Sequence, residues 1–146
     1  MLTKLKYVGT SVEDLLVIYS LYITSVLEYC AVGYHSSLTK AQSDKIERVQ
    51  KTCLLEVLSD MYVSYEAALE MCNLEKLSTR RERRCLNFSL NCLKHETNKK
   101  LFLCNERNLA HNQRNKEHFQ VNWARTEAYR KSAIPYCQKL LNKNFN

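Results

Sequence analysis

The sequence predicts an all-α chain, and three observations predict it. Only two glycines and one proline occur in 146 residues, fewer turn residues than hairpins or sandwiches use. Apolar residues recur at three- and four-residue steps, the helical period. Two runs open on paired capping residues three positions apart, Ser11 with Asp14 and Thr39 with Gln42, the signature of a helix N-terminus. A hydrophobic content of 45% with 25% charged residues fits a globular chain. The expected architecture is a small helical bundle over residues 1–104, followed by a basic loop and a short C-terminal helix over 105–146.

Residues 2–8 read as the last turns of a helix. Leu2 and Leu5 are apolar, Lys4 and Lys6 suit a helix C-terminus, and Gly9 fits a left-handed cap. A chain that opens on the end of a helix reads as a piece of a longer protein. The run at about 12–29 is the expected hub. No charge falls between Leu15 and Leu27, and Val17 and Leu21 fill the side opposite Leu15, Tyr19 and Ile23. A helix apolar nearly all round is expected to be buried. A turn around Gly33 follows, carrying the rings of Tyr34 and His35. These rings either pack over the end of the hub helix or stack on nucleic-acid bases.

The Thr39 capping box opens a helix to about Leu58. Its apolar stripe is Ile46, Val49, Cys53, Leu54, Val57 and Leu58. On its outer side Asp44–Arg48 and Glu47–Lys51 are spaced for i,i+4 ion pairs. A short helix from Met61 or Ser64 to Cys72 is expected to end at Asn73. The next helix, at about Ser78–His95, has Leu86, Leu90 and Leu93 on a wide apolar face, with Cys85, Phe88 and Cys92 beside them. Its first turns carry Arg80, Arg81, Arg83 and Arg84 around one acidic residue, Glu82. Four arginines near the positive end of a helix dipole are unfavourable and call for a partner. The partner is either internal carboxylates such as Glu66, Glu70 or Glu75, or a sugar–phosphate backbone. From Asn105 to Asn122 the helical pattern gives way to an amide-rich basic loop. Thr126–Lys131 reads as a helical turn, and Pro135 suits the start of a last helix, Tyr136–Leu141.

The net charge is +7. Residues 1–104 hold 14 basic and 12 acidic side chains, and residues 105–146 hold 8 and 3. A near-neutral body with a basic end favours an acidic partner, nucleic acid before membrane. Seven cysteines, an odd number without a secreted-domain framework, and the lack of an apolar leader after Met1 point to an intracellular chain. Leu15–Leu27 is shorter than the ~20 residues of a membrane span.

Catalytic chemistry finds no support. Two isolated glycines cannot make a phosphate-binding loop. Asp14, Asp44 and Asp60 offer no converging pair for two-metal phosphoryl transfer. Cys85 and Cys92, seven residues apart on one helix, lie ~10.5 Å apart, too far for zinc bonds near ~2.3 Å. Cys104, His111 and His118 lack ligand spacing. No cofactor or metal is expected.

Four ordered blocks carry a resemblance to the reverse transcriptases of LINE-type (non-LTR) retrotransposons. They are the run Ser25–Lys51 (SVLEYCAVGYHSSLTKAQSDKIERVQK), Ser64-Tyr-Glu-Ala-Ala-Leu69, Leu77-x-x-Arg80-Arg81-Glu82-x-x-Cys85-x-x-Phe88, and Arg125-Thr-Glu-x-Tyr-x-x-Ser132-x-Ile-Pro135-Tyr136. The matching part of that family lies downstream of the palm, in the thumb and beyond. The chain departs from the family at Ser25, where proline is usual, at Tyr34, where tryptophan is usual, and at Thr52, where a basic residue is common. Members of the family are RNA-directed DNA polymerases whose Mg²⁺ is held by palm aspartates, and those have no counterpart here. The resemblance therefore implies a non-catalytic, nucleic-acid-binding fragment of a mobile element. Its thumb would hold an RNA or RNA–DNA template–primer duplex through Arg80, Arg81, Arg83 and Arg84, secondarily through Lys45, Arg48 and Lys51, with Tyr34 and His35 as stacking contacts. Two other readings compete: a protein-interaction module that pairs with a second copy through exposed apolar helix faces, and a retrotransposon relic without function.

Overall fold

In the computed structural model, residues 1–104, 118–121 and 123–145 are described. The amide-rich loop expected at 105–122 lies mostly outside them, His111 included. The described chain is helical, and its only β feature is an isolated antiparallel bridge between Cys104 and Phe119. The helices are α1 (Leu2–Tyr7), α2 (Val12–Ile18, continued by a π turn, Tyr19–Thr24, and by Ser25–Leu27), α3 (Ala31–Tyr34), α4 (Lys40–Leu58), α5 (Tyr65–Met71), α6 (Leu77–Lys94), α7 (Glu96–Lys99), α8 (Glu127–Arg130) and α9 (Ala133–Phe145). The all-α expectation holds.

The chain forms two compact units, and the division is not the one read from the sequence at residue 104. The first contains Met1–Cys30 and Leu38–Arg81. The second contains Ala31–Ser37 and Glu82–Asn146.

In the first unit the caps form as their residues dictate. The Asp14 amide donates to Ser11 Oγ at 3.1 Å. The Gln42 amide donates to Thr39 Oγ1, and the Thr39 amide to Gln42 Oε1 at 2.9 Å, closing the capping box. Ser64 caps α5 through the Ala67 amide. Gly9 and Asn73, both at positive φ, end α1 and α5 as expected of left-handed C-terminal residues. Lys6 crosses to the end of α4, where its ammonium donates to the carbonyls of Glu56 and Val57 and to the Ser59 hydroxyl. A cation there satisfies carbonyls that have no partner within the helix. Leu2, Leu15, Tyr19 and Val57 make one buried cluster, and Leu54, Leu58, Ala68 and Leu69 make another.

Helix α2 is buried along one side only. Leu15, Tyr19 and Thr24 are covered, whereas Val17, Leu21, Tyr22 and Val26 are exposed, Val26 by 74%. The expectation of a helix buried all round is corrected here. A single helix has room for contacts with α1 and α4 on one side, and α2 carries more apolar surface than those neighbours cover. The π turn, in which bonds shift from the i−4 to the i−5 carbonyl, leaves carbonyls to be satisfied. Ser25 supplies that partner, its hydroxyl donating to the carbonyls of Leu21 at 2.6 Å and Tyr22 at 3.0 Å.

In the second unit α9 runs longer at both ends than the Tyr136–Leu141 expected, with Pro135 in its first turn. Cys85, Cys92, Phe102, Phe119, Cys137, Leu140 and Leu141 form its core. Asn142 anchors the return of the chain. Its amide group accepts from the Phe119 N–H at 2.8 Å and donates to the Phe119 carbonyl at 3.0 Å. Gln138 donates to the Leu101 carbonyl. No disulfide forms among the described cysteines, and burial raises the thiols of Cys92 and Cys137 above the ordinary range.

Candidate nucleic-acid interface

The four arginines of α6 part company. Arg80 turns to Glu28, donating from Nε to Oε1 at 2.6 Å and from Nη2 to Oε2 at 3.2 Å. The Glu28 side chain is only 1% exposed and the Arg80 side chain 25%, so the carboxylate of the bidentate pair is held away from water. Arg81 is fully buried at 0% exposure. Its Nη2 donates to Ser43 Oγ at 2.9 Å, while Nε and Nη1 find no hydrogen-bond partner among the described residues. A phosphate-gripping role for these two is corrected by these internal placements. Arg83 and Arg84 stand at the surface, and each is engaged within the chain.

The rings expected to stack on bases are also occupied. His35 packs edge-on against Tyr136, with centroids 5.4 Å apart, and its Nε2 lies 3.2 Å from the Tyr136 hydroxyl. Tyr34 is half-buried. Burial, aided by the nearby Glu82 carboxylate, pushes the Tyr136 phenol up to about 12. His35 thus packs on the C-terminal helix, in the second unit, and not over the end of the hub helix as the packing reading had it.

The cations of α4 are arranged otherwise. Lys45, Arg48 and Lys51 are all exposed. The expected Asp44–Arg48 and Glu47–Lys51 pairs do not close within 4.0 Å among the described residues. For Lys51 the reason is that Glu47 is committed elsewhere. It accepts from the Tyr65 hydroxyl at 2.6 Å and from the amides of Leu77 at 3.1 Å and Ser78 at 3.2 Å. A carboxylate thus caps the start of α6 and offsets the dipole cost of arginines there. Burial and the Glu47 carboxylate drive the Tyr65 phenol far above its usual range. Gln50 completes the cluster, fully buried, accepting from Tyr65 and donating to the Glu75 carbonyl. The sequence reading missed Gln50, although it lies four residues before the predicted core position Leu54.

With Glu47 diverted inward, the outer face of α4 is net basic. A shallow, open groove of about 270 Å³ runs along it, lined by Lys45, Arg48, Val49, Thr52 and Cys53. Val49 is 39% exposed and Cys53 half-buried, so the floor is apolar and the rim cationic. Arg48 also borders a second groove with Asp44, Glu47, Lys51 and Tyr65.

Among the described residues no three histidine, cysteine, aspartate or glutamate side chains converge on a metal position. Among the same residues no single helix is long and apolar enough to cross a membrane. Comparison with known proteins returns no match to a family model, a curated protein or a solved structure.

Proposed function

We propose that this chain is a non-catalytic helical domain that holds the sugar–phosphate backbone of RNA or of an RNA–DNA duplex, with Lys45, Arg48 and Lys51 of α4 as the principal contacts. The observation that carries the reading is the exposed row of three cations whose neighbouring carboxylate, Glu47, is spent on the α6 cap. The three stand at three-residue steps, so their Cα atoms rise along the helix over ~9 Å, a span that can reach successive phosphates. The net charge of +7 favours a polyanion by the same logic. The resemblance to the thumb and downstream region of LINE-type reverse transcriptases supports the same partner, and under it the chain derives from a mobile-element polymerase whose chemistry resides in other segments.

Binding of a labelled RNA–DNA duplex, followed by fluorescence anisotropy across a salt series, tests the proposal. The expected result is salt-dependent binding that weakens at least tenfold, ~1.4 kcal/mol or more, in Lys45→Ala/Arg48→Ala/Lys51→Ala, which removes all three phosphate contacts. Unchanged binding in the triple variant removes the assignment.

A second reading has its own observation. Val17, Leu21, Tyr22 and Val26 make an exposed apolar face on α2, which suits pairing with another protein. Sedimentation of the chain alone separates the two, since self-association at low concentration without nucleic acid favours this one.

A further inference from the structure

We infer that the groove on α4 receives one unpaired base, so that the nucleic acid held by this chain carries a single-stranded nucleotide beside its duplex. The inference deepens the backbone-holding reading and rests on it.

A backbone grip needs only cations. The α4 face offers more than that, because between Lys45 and Arg48 the surface sinks onto Val49 and Cys53. A stacked, paired duplex presents phosphate and sugar to a protein and keeps its base faces covered. Such a ligand would leave the apolar floor in water. An unpaired nucleotide supplies both chemistries at once, an anionic phosphate for Lys45 and a flat ring for the floor. Arg48 is placed to serve twice, since a guanidinium plane can lie against a base while its charge faces phosphate. Thr52 adds a hydroxyl at the edge, able to donate or accept at a base or a ribose.

Size points the same way. At about 270 Å³ the groove falls below the ~300–1,000 Å³ of pockets that enclose drug-sized ligands. It suits one ring. An acidic amphipathic helix would need several apolar anchors along its length, and this floor has two apolar side chains.

The test compares three ligands with equal numbers of phosphates on the full chain: a blunt RNA–DNA duplex, a duplex shortened by as many nucleotides as its single-stranded overhang adds, and that overhang duplex made abasic in its unpaired part. The overhang ligand is expected to bind about tenfold tighter than the blunt one, within the range found for stacking one base. The abasic overhang is expected to bind like the blunt duplex. Arg48→Lys, which keeps the charge and removes the planar group, is expected to lose most of the overhang preference while the salt slope stays the same. Equal binding of the abasic and base-bearing overhangs overturns the inference and leaves the backbone reading standing. Absence of salt-dependent binding to all three removes both. Displacement of the overhang ligand by an acidic amphipathic helical peptide at lower concentration than by blunt duplex also overturns it, in favour of a protein partner.

Discussion

At the scale of single residues, Arg80 and Arg81 show how the same side chain at adjacent positions meets opposite fates. Arg80 and Glu28 neutralise each other in a bidentate pair, with the carboxylate almost wholly out of water. Removing Arg80 takes the bidentate partner from a buried carboxylate, so Arg80→Ala is expected to cost about 3 kcal/mol in urea denaturation. Arg80→Met with Glu28→Leu, which removes both charges, should recover most of that loss. Arg81 is buried with one hydrogen bond and two unpartnered nitrogens among the described residues. Its desolvation is poorly compensated, so Arg81→Met is expected to be neutral or stabilising by the same assay, with nucleic-acid binding unchanged. Glu127 offers a pH test on a solvated site. Hydrogen bonds from Arg130 and Lys131 hold its carboxyl down to about 2. A depressed carboxyl favours the folded turn above its ordinary titration range, and the contribution fades as pH falls through the folded value. Order in α8, followed by NMR, should therefore persist through pH 4 and fade only as the pH approaches about 2.

At the scale of elements, the start of α6 is an inter-helix cap. Glu47 on α4 reaches the amides of Leu77 and Ser78 and the hydroxyl of Tyr65. Glu47→Ala is expected to lower the stability of the first unit by about 2–4 kcal/mol, since it takes the acceptor from the Leu77 and Ser78 amides and leaves Tyr65 with Gln50 alone, and Glu47→Gln to restore part of the loss. A local pairing rule misassigns this residue. Spacing alone offers Lys51 as its partner, and nothing local announces a helix start thirty residues downstream. Elements were legible where the signal is local. Thr39 with Gln42, Ser64, Gly9 and Asn73 all mark the ends they were expected to mark. One further signal was present and unused. Stepping back by fours from Cys85, a position on the apolar stripe of α6, lands on Arg81 and Leu77, and the buried set Leu77, Arg81, Cys85, Ser89 and Cys92 follows that line. The period places Arg81 inside before its charge is considered. The π turn of α2 had no such signature, and with it the exposed face of that helix could not be read from composition. The pairing of Arg80 with Glu28 links positions 52 residues apart, beyond the reach of any helical spacing.

At the scale of the whole molecule, the question is how much of the +7 charge is available to a polyanion. Charges already paired within the chain contribute less, because a paired cation releases fewer counterions from a phosphate. Arg80 is spent on Glu28, Arg130 and Lys131 lean on Glu127, and Lys76 on Glu66. Lys45, Arg48 and Lys51 make no ion pair among the described residues. If those three form the grip, they set the salt dependence. Each phosphate neutralised adds about 0.9 to the slope of log K against log salt on a duplex, so the Lys45→Ala/Arg48→Ala/Lys51→Ala variant should lose about 2 to 3 from that slope. Arg80→Met with Glu28→Leu changes no net charge and should leave the slope where it was. A slope that falls equally in both variants would mean that the α4 face is a reporter of folding and not the grip. A slope that survives the triple variant would move the grip to the basic C-terminal segment, which carries 8 basic and 3 acidic side chains over residues 105–146.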